Sequence, residues 1–247
     1  MVVRQAMGSS RRDLLQWASW LGSSWLLEGV IAPPAGALLP PLDVCRPVGD
    51  PLAALQQGNA RFAAAWREAS AQSDPAQRMA VLQQVLGEHC QVDPAALAAA
   101  QHPWAAVLTC ADSRIPLEWI FCAGAGELFA VRSAGNTAFD AGIASLEYAV
   151  EQLGVPMILV MGHSGCGAVS AAMSDQPLTP LQEQLVEPIR ACLQSGDDLS
   201  RAVRRNACQS AQQLTVRSAL LHEAQASGRL RIVSGCFDIA TGRMELI

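Results

Sequence analysis

Cys110-Ala-Asp112-Ser-Arg114 is answered further along the chain by His163-Ser-Gly-Cys166. Two thiols and one imidazole make a set of soft-to-borderline donors that suits zinc. A structural zinc site takes four protein ligands, whereas a catalytic one keeps three and leaves a position open. Beside the first cysteine stand an acid, Asp112, and a cation, Arg114. The pattern reads as a metal that acidifies a bound water, with Asp112 and Arg114 arranged to hold it. Either half alone is short enough to arise in an ordinary core, as buried cysteines and a satisfied histidine. Both halves together, each at the end of a strand, favour the metal.

The elements that must position these groups are legible around them. Ala105 to Thr109 is a short apolar run stopping at Cys110, and Pro156 to Met161 is another, stopping at Gly162-His163. Neither alternates, as expected of strands covered on both faces. Leu128 to Val131 forms a third strand, ending at Arg132-Ser-Ala-Gly-Asn136, and Leu230 to Val233 a fourth, running into Ser234-Gly-Cys-Phe-Asp238. Helical spacing covers Ala138 to Leu153, with apolar Ile143, Leu146, Ala149, Val150 and Leu153. Alternating strands and helices predict an α/β domain around a mostly parallel central sheet flanked by helices. In such sheets ligands bind beyond the carboxyl ends of the strands, where Cys110 and His163 fall. Cys166 lies in a Gly-Cys-Gly turn that opens the next helix. Gly165 and Gly167 there let backbone N–H groups approach an anion closely.

These strings resemble the β-class of carbonic anhydrases. The similarity is carried by Cys110-Ala-Asp-Ser-Arg114, Glu127-Leu-Phe-Ala-Val-Arg-Ser-Ala-Gly-Asn136, Ser145-Leu-Glu-Tyr-Ala-Val150, Gly162-His-Ser-Gly-Cys-Gly167 and Gly235-Cys-Phe-Asp-Ile-Ala-Thr-Gly242, from about Asp50 to the C-terminus. The resemblance implies one zinc ion per chain on Cys110, His163 and Cys166, with Asp112 and Arg114 as the catalytic dyad. It is closest to the plant-like active-site subtype, which places a glutamine in a Gln-x-Pro context at Gln101 and pocket residues at Phe129 and Tyr148. Gly167 joins them as a substrate-binding position. The other subtype, regulated by bicarbonate, has a tryptophan and a glycine where this chain has Val107 and Thr109. Thr109 departs from both patterns, since a small residue is usual there.

The implied reaction is the reversible hydration of carbon dioxide to bicarbonate and a proton. Zinc lowers the pKa of a bound water from 15.7 to about 7, and two anionic sulfurs weaken that effect, so the surrounding residues matter more. Asp112 accepts a hydrogen bond from the nucleophile, Arg114 keeps Asp112 ionised and off the metal, and Gln101 donates to a substrate oxygen. The alternatives are a carbonyl sulfide or carbon disulfide hydrolase on the same scaffold, which Gln101, Phe129 and Tyr148 disfavour, and a catalytically silent zinc-binding interaction protein, which the intact dyad disfavours. The family implies a homodimer or a higher even oligomer, with Gln101, Phe129 and Tyr148 reaching the site across the interface. It also implies that the helix beginning near Asp50 packs on a partner subunit.

Composition bounds the rest. With 247 residues, the chain holds one sizeable core. Although 51% of residues are apolar, no interior run is long enough to span a membrane, so the mature chain has no stable span. All 17 basic residues are arginine and the net charge is −5, which argues against a nucleic-acid partner. The first 37 residues read as a twin-arginine export signal: Arg11-Arg12, an apolar stretch from Leu14 to Ile31, and an Ala35-Gly-Ala37 cleavage site. Glu28 interrupts that stretch, and an amphipathic helix or an upstream start codon are the alternatives. Residues 38–49 follow as a linker and 50–247 as the catalytic domain. The expected location is the periplasm or otherwise outside the cytoplasm, and the cytoplasm if the signal reading fails.

Six cysteines remain beyond the zinc pair. Cys122, Cys192 and Cys236 lie in apolar contexts as small core residues. After export, disulfides become possible among Cys45, Cys90, Cys122, Cys192, Cys208 and Cys236, with Cys45 and Cys90 the better candidates. His89 and Cys90 read as a surface coincidence rather than a second metal site.

Overall fold

The computed structural model describes Pro47, residues 49–86 and residues 94–247. The proposed signal segment, Cys45, His89 and Cys90 lie outside the described residues.

Strands β1 (Ala105–Cys110), β2 (Leu128–Ser133), β3 (Met157–His163) and β4 (Arg231–Asp238) run parallel, and β5 (Arg243–Leu246) closes the edge antiparallel, in the order β2-β1-β3-β4-β5. The mostly parallel sheet is therefore as the sequence pattern predicts. Each parallel strand reaches further than its apolar run. β1 includes Cys110, β3 includes His163, and β4 continues to Asp238 because it pairs with β3 as far as His163↔Phe237 and with β5 at Asp238↔Arg243. Backbone pairing, not hydropathy, sets these ends. The antiparallel β5 has no counterpart in the sequence reading. It folds back through a turn at Gly242, whose φ of +71° favours glycine.

Both faces of the sheet are covered, which explains why the central strands β1 and β3 are buried along their whole length. Val107, Leu159 and Met161 face one layer with Leu55, Phe62, Ile120 and Phe121. Ala106, Leu108, Ile158 and Val160 face the other, against Ile143 and Leu146 of α5 (Asp140–Glu151), Leu214 of α8 (Leu199–Arg217) and Leu221 of α9 (Ala219–Ala226). The remaining helices are α1 (Pro51–Ser70), α2 (Pro75–Leu86), α3 (Pro94–Ala99), α4 (Leu117–Ile120), α6 (Gly167–Ala172) and α7 (Pro180–Arg190). No helix among the described residues is long and apolar enough to cross a membrane.

Helix α1, which the resemblance sends to a partner subunit, docks one face on its own chain. Asp50 caps it, accepting from Leu52 N at 3.2 Å, and Pro51 supplies a preset first turn. Its apolar face is buried on its own chain, where Leu55 and Phe62 each gain about 1.5–3 kcal/mol from full burial. Asn59 fixes the docking: its Nδ2 donates to Ile120 O (3.2 Å) and Gly242 O (2.9 Å), and its Oδ1 accepts from Met244 N (2.7 Å). Gly58 lets the helix approach so closely that a Cβ there would lie 1.8 Å from Phe121 O.

Candidate metal centre

β3 delivers His163 into a fully buried position. Its Nδ1 donates to Ser164 O at 3.0 Å, because a carbonyl can only accept. That fixes the tautomer and turns the Nε2 lone pair inward, where it has no hydrogen-bond partner. The loop carrying Ser164 is pinned by β4: Ser164 N donates to Phe237 O (2.8 Å), and Ser164 Oγ donates to Asp238 Oδ1 (3.1 Å) while accepting from Ile239 N (3.0 Å). Gly165, at φ +66°, turns the chain so that Cys166 caps α6 with its side chain buried.

β1 delivers Cys110 beside it. The sulfurs of Cys110 and Cys166 lie 3.9 Å apart. The three donor atoms, with His163, lie within 4.8 Å of one another. Tetrahedral zinc with Zn–S arms of about 2.3 Å separates two sulfurs by about 3.8 Å. An unpartnered buried imidazole nitrogen facing two buried sulfurs thus fits a metal of this class. Among the described residues this is the one group of its kind. Without a cation the two thiols compete for one proton. Either thiol can donate in this contact, which lowers the pKa of Cys110 and raises that of Cys166, with burial adding to the rise. A second donor to Cys110 Sγ is the amide of Gly135, at 3.3 Å.

Asp112 and Arg114 turn back over this group. Arg114 Nε donates to Asp112 Oδ1 at 2.9 Å and Arg114 Nη2 to Oδ2 at 2.7 Å, a bidentate pair. The guanidinium, with the Arg114 backbone amide, holds the Asp112 carboxyl well below the usual carboxylate range. Arg114 Nη2 also reaches Gly165 O at 3.3 Å, tying the first motif to the second. Asp112 Oδ2 lies 3.8 Å from His163 Nε2, near the donor group yet already occupied by Arg114. Thr109, the departure noted in the sequence, is buried and donates to Met161 O at 3.0 Å, so its hydroxyl is spent between β1 and β3.

The other expected site residues do not converge here within one chain. Phe129 pairs with Ala106 in the β1–β2 register, four residues upstream of the Cys110↔Ser133 pair and so about 13 Å along the strand. Tyr148, on α5, is 49% exposed and its ring lies 6.5 Å from that of Phe129. Gln101 is exposed ahead of the amino end of β1. Gly167 opens α6, with open space where a Cβ would stand.

Three residues act on the site without having been assigned a role. Arg132 donates from Nε to Cys110 O (3.1 Å) and from Nη2 to Asp112 O (2.8 Å), so it braces the loop that carries both. Arg132 and Gly135 stand inside the family-like segment Glu127 to Asn136, which is the signal that marks them. Asn206, whose Nδ2 donates to Gly135 O at 2.7 Å, sits in helix α8 with no motif around it. Cys192 and Cys236 are only partly buried, against expectation, and with Cys208 they carry free thiols; Cys122 is buried.

Comparison with known proteins bears on this geometry. A family model described as Carbonic anhydrase matches residues 105–244. "Carbonic anhydrase 2" of Mycobacterium tuberculosis is 36% identical over 203 residues, covering 78% of this chain and 89% of the relative. The carbonic anhydrase of Pseudomonas aeruginosa is 35% identical over 167 residues, covering 61% of this chain and 76% of the relative. Among solved structures, a Coccomyxa β-carbonic anhydrase in complex with acetazolamide superposes with a TM-score of 0.57 at 26% identity, covering 62% of this chain and 76% of that one. A tetrameric β-carbonic anhydrase of Sordaria macrospora gives 0.56 at 26% identity, covering 62% and 84%.

Proposed function

The chain belongs to the β-carbonic anhydrase family, and on that premise we propose that it hydrates carbon dioxide reversibly, with one zinc ion held by Cys110, His163 and Cys166. The observation that carries the metal assignment is the buried, unpartnered Nε2 of His163 facing two buried sulfurs. Zinc, when bound, supplies a Lewis acid that brings the ionisation of water close to neutral pH.

The chain's own residues do the rest. Asp112 is ionised and can only accept, so an attacking O–H must point at it, which leaves an oxygen lone pair for the carbon of the substrate. Arg114 fixes the direction of that carboxylate by holding both its oxygens. Arg132 fixes its place relative to Cys110. The reaction balances as carbon dioxide plus water giving bicarbonate plus a proton.

The pocket is completed by a second copy of the chain in this reading. Phe129 and Tyr148 form an aromatic pair on β2 and α5, remote from their own metal group and partly exposed. β2 is one of the two edges of the sheet among the described residues. Two chains meeting along that edge bring Gln101, Phe129 and Tyr148 of one to the metal group of the other, in the plant-like arrangement. Gln101 then donates to an oxygen of carbon dioxide or bicarbonate. The assembly is a homodimer or a higher even oligomer, and Gly167 lines the substrate side at the start of α6. The catalytic domain comprises residues 50–247, and residues 1–37 direct export to the periplasm.

A substrate comparison tests the reading. Sulfur accepts hydrogen bonds poorly, so carbon dioxide should be turned over well and carbon disulfide poorly, with Gln101→Ala lowering hydration at unchanged zinc content. Fast carbon disulfide hydrolysis with negligible hydration would replace the anhydrase by the sulfur-substrate hydrolase. A zinc-loaded protein inert to both would leave the silent binding protein.

A further inference from the structure

We propose that Asn206 is a positioning residue for the metal centre: it fixes the Gly135 amide on the Cys110 sulfur and so limits the electron density which that thiolate gives the metal. The inference rests on the metal reading above.

Asn206 belongs to α8, a 19-residue helix, and is 1% exposed. Its Nδ2 donates to Gly135 O at 2.7 Å and lies 3.5 Å from Asn136 Oδ1. Gly135 in turn donates its amide to Cys110 Sγ at 3.3 Å. The side chain thus holds the carbonyl end of the residue whose N–H end meets the ligand. The turn closes its own Asn136 N–Ser133 O bond at 3.1 Å, and Asn206 adds the bond to the Gly135 carbonyl. Gly135 has φ +79° and Asn136 φ +49°, two successive left-handed residues, the second carrying a side chain. Such a turn persists when surrounding groups over-determine it. Without Asn206, the buried Gly135 carbonyl loses its donor, a cost that relaxation of the loop would relieve.

The same helix also registers the other side of the centre. One turn before Asn206, Val203 lies against Gly162, the residue before His163. A Cβ on Gly162 would stand 3.0 Å from Val203 Cγ1 and 3.3 Å from Val203 O. α8 therefore sets the β3 strand end and the Gly135 loop against one rigid body. Groups that hydrogen-bond a metal ligand tune its donor strength, and their loss costs about 10- to 100-fold in affinity or activity. Losing the N–H···S bond makes Cys110 a stronger donor, so the metal acidifies water less.

The test uses the full, metal-loaded assembly with ¹¹³Cd in place of zinc and ¹⁵N-labelled glycine. A scalar coupling from cadmium to the Gly135 amide proton, passed through the sulfur, should be seen in the wild type. Asn206→Ala and Asn206→Ser should bind one cadmium per chain and lose that coupling. In the cobalt-loaded forms the sulfur-to-metal charge-transfer band should move to longer wavelength, and in the zinc forms kcat should fall about 10-fold with KM within twofold. Variants that lose activity but keep the coupling and the band position would overturn the proposal, as would a wild type with no coupling. If neither variant folds, hydrogen exchange on the wild type decides. The Asn206 side-chain amide and the Gly135 amide should exchange at one common slow rate, and independent rates would overturn the proposal. A wild type that binds no cadmium would instead sink the metal reading itself.

Discussion

Arg114 takes both oxygens of the Asp112 carboxylate, reaching Oδ1 from Nε at 2.9 Å and Oδ2 from Nη2 at 2.7 Å. The aspartate is the more enclosed partner, with its side chain 16% exposed against 53% for the arginine. The pair is therefore an oriented acceptor with its cation on the solvent side. Surface ion pairs contribute little to stability, so the value of this one lies in direction.

Two substitutions separate orientation from charge. Asp112→Asn should keep one zinc per chain and lose about 100-fold in kcat/KM, since the acceptor's charge is gone. Arg114→Ala should release Asp112 toward an ordinary pKa of about 3.9, still ionised at neutral pH. Its loss of activity should then be uniform from pH 6 to 9. A loss that deepens steeply toward pH 6 would mean that Arg114 acts by keeping Asp112 charged. The depressed carboxyl stabilises the fold above about pH 4 and loses that contribution as pH falls through its lower folded value.

The shared pocket predicts complementation. Gln101→Ala and Cys166→Ser each spoil a different half of the site. Mixed after dissociation and reassembly, the two impaired proteins should show more hydration than the average of the two alone, because one site in each mixed dimer draws both halves intact. Mixing that restores nothing, although mixed dimers form, would place Gln101 outside the partner's site.

Docking of α1 on its own chain predicts a stability effect far from the metal. A Cβ at position 58 would meet Phe121 O at 1.8 Å, and backbone cannot yield as a side-chain tip can. Gly58→Ala should cost about 1–3 kcal/mol or more, read as a lowered thermal midpoint with the zinc content unchanged. An unaltered midpoint would mean that α1 lies elsewhere in the assembled protein.

The Cys110, His163 and Cys166 group and the Asp112–Arg114 pair were legible because a metal site demands particular residue types at strand ends, and the sheet's parallel strands were legible because burial on both faces leaves continuous apolar runs. Strand ends were less so: Cys110, His163 and Asp238 are held in strands by pairing with neighbours that hydropathy does not record. β5 is short and mostly polar at its exposed positions, and only its pairing with β4 defines it. Asn206 was silent because its partner, Gly135, is distant in sequence and the bond uses a backbone oxygen. Cys192 and Cys236 looked like core residues from their apolar neighbours, but Cys192 follows the end of α7 and Cys236, on the inner strand β4, is only partly covered.

The export reading has a direct check. Cleavage after Ala37 should leave a mature protein beginning at Leu38 in the periplasmic fraction. N-terminal sequencing of native protein that returns Met1 from the cytoplasm would refute it.

The central claim is that Cys110, His163 and Cys166 hold the zinc on which hydration depends. The most direct measurement is stopped-flow carbon dioxide hydration with zinc content determined on the same sample, before chelation, after it, and after zinc is restored. Wild-type protein should carry one zinc per chain, lose hydration in step with the metal and regain it on reloading, while Cys166→Ser should do neither. Zinc-free protein that hydrates carbon dioxide at the full rate, or Cys166→Ser with full zinc and full activity, would contradict the account.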